Sequence, residues 1–384
     1  LDLGLSNEER SFRDRVRRVI EERIAPRFPE WREKDTTPRE LFEIFGSEMM
    51  LGFGREGDAI VPVPWLQNIH LYRELSKLSG GLGIATFVQA NLGNEAFYLF
   101  GSKEQKKEYL GPGIEGKRLF AFANTEPSAG SDASAIKLTA EEKGDHYLVN
   151  GMKAYITSAD LADDIIFTAV TGPTSEKQHR RVSMFITPGD TEGLTRTRLK
   201  KYGWKGSHLC TLNFEDVIVP KENLLGQKGR GFYQTMELFN NGRIGVSSLA
   251  FGAALGAFEH AYGHAVKRKA FGRTLFEHES KTYEFSENIA RLQAGWLLIQ
   301  KAAYEADSGR DFKHYASLAK LFNTEEGMKI TLWGVITMGA RGVIVQNPIS
   351  DYPHDSIVSL IGEGAPEVQK KVIAQNLDSI LGAL

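Results

Sequence analysis

The hydrophobic period of this chain changes twice along its length, and that change limits the possible folds more than any single motif does. Ser6-Asn7-Glu8-Glu9 has the form of a capping box, and Phe12, Val16, Ile20 and Ile24 follow in steps of four. This spacing lays one apolar stripe along a helix that ends near Pro26. Helical patterns recur over Pro38 to Met50, Gln67 to Leu78 and Ile84 to Phe100, and Ser102-Lys103-Glu104-Gln105 caps another. Gly52-Phe53-Gly54, Pro62-Val63-Pro64 and Gly80-Gly81 mark the breaks. The texture then becomes that of strands. Tyr147-Leu148-Val149, Asn150-Gly151 and the run to Ile156 predict a hairpin with an Asn-Gly turn, and Val182 to Ile186 and Leu209 to Val219 read as further strands. From Gly231 the helical period returns. Phe285, Ile289, Leu292 and Trp296 step by three and four, while Ala250, Gly252, Ala253, Ala254, Gly256 and Ala257 form a small-residue face that lets a neighbour approach. Helices, then strands, then helices, with no βαβ alternation, exclude a doubly wound sheet and predict an α+β class, mostly α.

Composition narrows the partners. The 384 residues are enough for two or three packed domains, and a net charge of −2 gives no electrostatic reason to bind nucleic acid. A single cysteine, Cys210, builds neither an internal disulfide nor a Cys-rich zinc site, which points to a reducing compartment. No run approaches the ~18 consecutive apolar residues of a membrane span. The expectation is a cytoplasmic protein without membrane partners. The start at Leu1 rather than Met leaves room for the mitochondrial matrix, had a transit peptide been removed.

Two glycine-rich strings invite nucleotide readings and fail them. Gly52 to Gly57 matches G-x-G-x-x-G, but Pro62 and Pro64 follow where a helix should open. Gly226 to Gly231 lacks the Gly-Lys-Ser/Thr ending of a phosphate loop and reads as the turn into the last helical segment. His260 and His264 stand at helical i, i+4 spacing, yet no carboxylate or cysteine cluster completes a metal site.

Thr125-Glu126-Pro127-Ser128-Ala129-Gly130-Ser131-Asp132 lies just ahead of the strand run. A hydroxyl-bearing turn of this kind offers hydroxyls and backbone N–H groups to a polar ring edge or a phosphate. As a string it resembles the T-E-P-x-A-G-S-D signature of the acyl-CoA dehydrogenase family. Lys153-Ala154-Tyr155-Ile156-Thr157 is similar to the family's K-x-W-I-T, and Arg268-Lys269-Ala270-Phe271-Gly272 to its R-x-x-F-G, in matching order and spacing. The changes of period divide the chain into a helical part over 1–117, a strand part over 118–226 and a helical part over 227–384, and the resemblance implies for them an N-terminal helical domain, a central β-barrel-like domain and a C-terminal four-helix bundle. It also implies FAD as cofactor, an acyl-CoA substrate, an electron-transferring flavoprotein as acceptor and a homotetramer built as a dimer of dimers. By the same resemblance Thr125 and Thr157 bond the polar edge of the isoalloxazine, Tyr155 stacks beside it, and Ser131 lies near the pyrophosphate or the pantetheine arm. Arg268 reaches the FAD pyrophosphate of a neighbouring subunit, a role suited to a guanidinium fork. Phe122, Asn124, Gly130 and Phe271 carry over as further FAD contacts, as do Glu279, Gly339, Ala365 and Glu367. Gln89, Asn91, Asn240, Arg243 and Gly364 join Ser131 on the substrate.

The family draws its catalytic base from one of two places, a Glu in an I-Y-E-G-T string or a Glu just before an Arg on the first bundle helix. Ile361-Gly362-Glu363-Gly364-Ala365 resembles the first, and Gly242 before Arg243 leaves the second without a side chain. Glu363 is therefore expected to remove the α-proton while the β-hydrogen leaves as hydride to flavin N5, giving a 2-enoyl thioester. Glu95 is the reserve carboxylate. This chain departs from the family at Gly362 for Tyr, Ala365 for Thr, Tyr155 for Trp, Ile336 for Gln and Glu279 for Gln. Met338-Gly339-Ala340-Arg341-Gly342 only weakly echoes the family's L-G-G-x-G. The aromatic missing at Gly362, with polar Gln89 and Asn91, leads to the expectation of a bulky, cyclic, branched or polar acyl group. A flavin oxidase or oxygenase on the same fold, and a carrier-protein thioester as substrate, remain the alternatives.

Overall fold

The computed structural model describes residues 5–173, 175 and 177–383. At the N-terminus the capping box forms: Ser6 N donates to Glu9 Oε2 at 2.7 Å and Glu9 N to Ser6 Oγ at 3.1 Å. Phe12, Val16, Ile20 and Ile24 are all buried, and the helix Asn7–Val19 runs on into a π-helical turn, Ile20–Ile24. Gly52 to Gly57 opens no helix, because Phe53–Glu56 and Ala59–Pro62 pair as an antiparallel hairpin. The helix expected over Ile84 to Phe100 is interrupted by a π-helical stretch, Val88–Asn94, between Gly80–Phe87 and Glu95–Phe100.

The middle of the chain forms one curled seven-stranded sheet. Its path runs Phe120–Ala123, Asp164–Val170, Thr139–Lys143, His146–Thr157, Leu209–Pro220 and Leu194–Arg198, with Val182–Pro188 also paired to Asp164–Val170. The Asn-Gly turn is a correction. His146–Thr157 runs straight through Asn150 and Gly151, and the hairpin turns instead at Gly144 and Asp145, with Lys143 opposite His146. Cross-strand bonding decides this. The Asn150 side chain both donates to Asp216 Oδ1 and accepts from Asp216 N, each at 2.9 Å, so the pair forms a bulge in which Gly151 takes φ 134°.

From Gly231 the chain is helical again, with three long helices, Gly231–Ala265, Glu279–Asp307 and Lys313–Met338, and a shorter fourth, Tyr352–Ile361. The first of these is a shared spine, packed by its bundle partners and by Trp65–Leu78 of the N-terminal region. Its small residues make that possible: a Cβ on Gly252 would stand 2.4 Å from the Arg73 carbonyl oxygen. Among the described residues no helix is long and apolar enough to cross a membrane.

Candidate active site

The fourth bundle helix ends at Ile361, and the next residues turn sharply, with Glu363 at φ 53° and Gly364 at φ 92°. A left-handed backbone at a glutamate costs about 1–2 kcal/mol, and here it swings the side chain inward. Glu363 Oε2 is sealed from solvent and meets no hydrogen-bond partner, although part of the residue is exposed. It lies 3.2 Å from where a Cβ on Gly242 would be. The two positions that the resemblance offers for a base are thus two sides of one contact, and glycine at 242 leaves room for the carboxyl from 363. Burial pushes the Glu363 carboxyl up to about 7, opposed by the positive charges of Lys320 and Arg243. Arg243 is itself buried, donates Nη1 to Asn240 Oδ1 and keeps an unpaired Nε.

The Phe87 ring also lies against Gly242, as well as Gly245, and packs edge-on with Tyr72. Beyond it is a polar quartet absent from the sequence reading except for Asn91 and the reserve role of Glu95. The Tyr72 hydroxyl donates to Asn91 Oδ1, Asn91 Nδ2 donates to Glu95 Oε2 at 3.3 Å, and Asn241 Nδ2 donates to Glu95 Oε1. Burial pushes Glu95 up to about 7 against these two bonds. The π-helical stretch holds Asn91 at this seam, and such insertions recur at functional sites.

Gln89 is a correction. It does not face the site, because its amide is spent bracing the backbone: Nε2 donates to Gly113 O and Arg118 O, and Oε1 accepts from Phe120 N at 2.9 Å. The gap expected at Gly362 is likewise bordered by protein, with Trp204 Cη2 3.3 Å from its Cβ position.

The sheet contributes a second cluster. Between Lys153 and Ile156 the pairing to Leu209–Pro220 slips by a residue, and Tyr155, at φ 61°, is turned out of the strand and 60% exposed. Ala154 N donates to Thr125 O at 2.9 Å, which sets the Thr125–Asp132 loop beside this bulge. The hydroxyls of Thr125 and Thr157 make no hydrogen bond to the described residues. Gly130 and Ser131 are exposed on the loop. Phe122 and Asn124 lie beneath the surface instead: Phe122 packs edge-on to Phe239, and Asn124 Oδ1 accepts from Thr168.

The two strings are locked by their own charges. Lys153, fully buried, donates to Glu126 Oε1 and to Asn124 O, each at 2.9 Å, and Glu126 also receives Lys137 N and Leu138 N. Neither residue was singled out from the sequence, though both lie inside the quoted strings.

The remaining residues stand apart in the chain. Arg268 and Phe271 belong to the hairpin of Lys269–Ala270 and Arg273–Thr274, where Phe271 is 97% exposed and Arg268 has no ion-pair partner among the described residues. The first helix runs from Arg243 to Ala265 before it, about 33 Å at 1.5 Å per residue. Glu279 is exposed at the start of the second helix, and Gly339 is exposed just past the third. Ala365 and Glu367 begin the helix that follows Glu363, with Glu367 pointing to solvent. His260 is exposed, and among the described residues no group of three His, Cys, Asp or Glu could hold a metal ion.

Family models for the acyl-CoA dehydrogenase N-terminal, middle and C-terminal domains match residues 6–117, 121–217 and 229–377. The short-chain-specific acyl-CoA dehydrogenase of Clostridium acetobutylicum is 33% identical, over 97% of this chain and 99% of its own. The chain belongs to the acyl-CoA dehydrogenase family. The caffeyl-CoA reductase–Etf complex subunit CarC of Acetobacterium woodii is 35% identical to this family member, over 78% of this chain and 79% of its own. The solved butyryl-CoA dehydrogenase of Megasphaera elsdenii superposes with a TM-score of 0.92 at 30% identity, covering 98% of this chain and all of the other.

Proposed function

We propose that this chain is an FAD-dependent acyl-CoA dehydrogenase in which Glu363 takes the α-proton of the thioester on Oε2. The observation that carries the reading is the Glu363 carboxyl itself, with Oε2 sealed and unpartnered against the bare Gly242 face and the group held near 7, the range in which a carboxylate serves as a general base at neutral pH. Arg243 bears on the Glu363 carboxyl through its charge and is bonded to Asn240, and with Ser131 and the backbone of Gly364 these two are assigned to the thioester and its CoA arm. FAD, when bound, supplies the acceptor for the β-hydrogen and its electron pair. The exposed Tyr155 ring and the unengaged hydroxyls of Thr125 and Thr157 fit its ring system. The acceptor downstream is an electron-transferring flavoprotein, in keeping with the Etf complex named for the Acetobacterium relative. An oxidase using O2 is separated by oxygen consumption measured against an artificial electron acceptor.

Arg268 lies past the far end of the first helix from Arg243 and has no ion-pair partner among the described residues, so its guanidinium is assigned to the FAD pyrophosphate of a neighbouring subunit within a homotetramer. Arg268→Ala removes a charge-assisted contact of about 1.5–3 kcal/mol. FAD should dissociate roughly 10- to 100-fold more readily and assembly should weaken with it. A variant that keeps its FAD and its sedimentation profile contradicts the assignment.

For the substrate, the polar quartet favours a polar acyl group, whereas Gln89 is bonded to backbone and Trp204 borders Gly362. An acyl group that reaches Tyr72, Asn91 and Glu95 with a hydroxyl or carbonyl finds hydrogen-bond partners, and a plain hydrocarbon opening the same seam leaves polar groups unpaired at ~1–3 kcal/mol each. Acyl-CoAs bearing a polar or aryl substituent should be turned over with higher kcat/KM than butyryl-CoA or octanoyl-CoA. Faster turnover of the two plain chains than of every polar analogue would refute this preference and leave the dehydrogenase reading standing.

A further inference from the structure

The third bundle helix presents Ala316, Lys320, Asn323, Gly327, Thr331 and Gly334 along its buried face, and only Lys320 among them is charged. Lys320 is fully buried, yet among the described residues no carboxylate lies within hydrogen-bonding distance of it. An ammonium in that setting is costly unless its protons are used. Nζ donates to Gly364 O at 2.8 Å and to Leu360 O at 3.3 Å, the carbonyls on either side of Glu363. Gln369 Nε2 adds bonds to Gly364 O at 2.9 Å and Glu363 O at 3.2 Å. These bonds fall on the turn whose left-handed backbone aims the base.

We propose that Lys320 is a positioning residue for Glu363, clasping the 360–364 turn through two carbonyls and holding a positive charge behind the carboxyl so that it ionises although Oε2 is sealed from solvent. The inference rests on the reading of Glu363 as the base. The charges facing Glu363 are Lys320 from the third helix and Arg243 from the first, and both favour the carboxylate against burial. On the other elements, Asp355 of the fourth helix is turned to Trp204 N and Gly80 N, and Glu367 points to solvent. Lys370 pairs with Glu325, and Glu95 is tied to Asn241. Burial brings Lys320 itself down to about 8, with Glu363 working against that fall. Removing the lysine charge takes away the largest force holding Glu363 ionised, so its proton is released only at higher pH.

The test is the pH profile of kcat/KM in the holoenzyme for wild type, Lys320→Met, Lys320→Gln and Gln369→Leu. Gln at 320 keeps a donor for the turn and drops the charge, and it serves if the Met variant does not fold. Loss of a charge at this range should move the acid limb up by about one pH unit in the 320 variants. Activity should then fall about 5-fold at pH 7, recover towards pH 9, and leave FAD content unchanged. Gln369→Leu removes two hydrogen bonds and no charge, so kcat should drop with the limb in place. An acid limb unmoved in both 320 variants, whatever their rate, overturns the proposal. Native-rate flavin reduction by Glu363→Gln would instead sink the reading beneath it, so the two failures are distinct.

Discussion

Glu363→Gln should slow flavin reduction by an acyl-CoA at least ~10²-fold, the lower end of what a positioned general base contributes. The amide keeps the shape that fits against Gly242 and cannot accept the α-proton. FAD content should be unchanged, because the proposed flavin contacts come from the sheet and from Arg268. Stability gives a second readout. The folded carboxyl holds its proton up to about 7, whereas its ordinary value is 4.5. Between these values the native state binds more protons than the unfolded one, so the contribution of Glu363 to stability falls as pH rises through that window. The difference corresponds to roughly 3 kcal/mol. The Gln variant lacks this penalty, so it should match wild type in denaturant midpoint near pH 4.5 and exceed it above pH 7. A reduction rate equal to wild type moves the base elsewhere, with Glu95 the next carboxyl to replace.

Lys153→Met should be the most damaging single change in the sheet. It strips Glu126 of its one buried counter-charge among the described residues while that carboxylate still receives two backbone N–H groups. Breaking one side of a buried pair typically costs about 3–5 kcal/mol. Because Glu126 anchors the Thr125–Asp132 loop, FAD retention should fall together with the unfolding midpoint. Glu126→Gln with Lys153→Met restores neutrality and should recover part of the loss. Wild-type stability in the single variant would mean that the pair holds neither the loop nor the sheet.

Local chemistry was legible in the sequence, and long-range bonding was not. The Ser6 to Glu9 box and the Phe12 to Ile24 stripe depend on residues three and four apart, so spacing alone placed them. Asn150-Gly151 has the composition of a tight turn, and Asp216 on another strand, bonding Asn150 through its carboxylate and its backbone N, goes with a bulge there instead. Gln89 reads as a polar group in an acyl pocket until the fold brings Gly113 and Phe120 to its amide. Lys320 offered one unused signal: a lysine in register with Ala316, Asn323 and Gly327 stands where a solvent-facing charge has no place. The Tyr72–Asn91–Glu95–Asn241 quartet draws on three separate segments, so no window of sequence contains it.

The most direct test is anaerobic titration of the purified holoenzyme with a panel of acyl-CoA thioesters, following the flavin absorbance and the acyl products. If the chain abstracts an α-proton at Glu363 and passes the β-hydrogen to FAD, at least one saturated thioester should bleach the yellow chromophore and yield the matching 2-enoyl-CoA, one equivalent per flavin. Protein that reconstitutes with FAD and stays oxidised with every thioester in the panel would contradict the account.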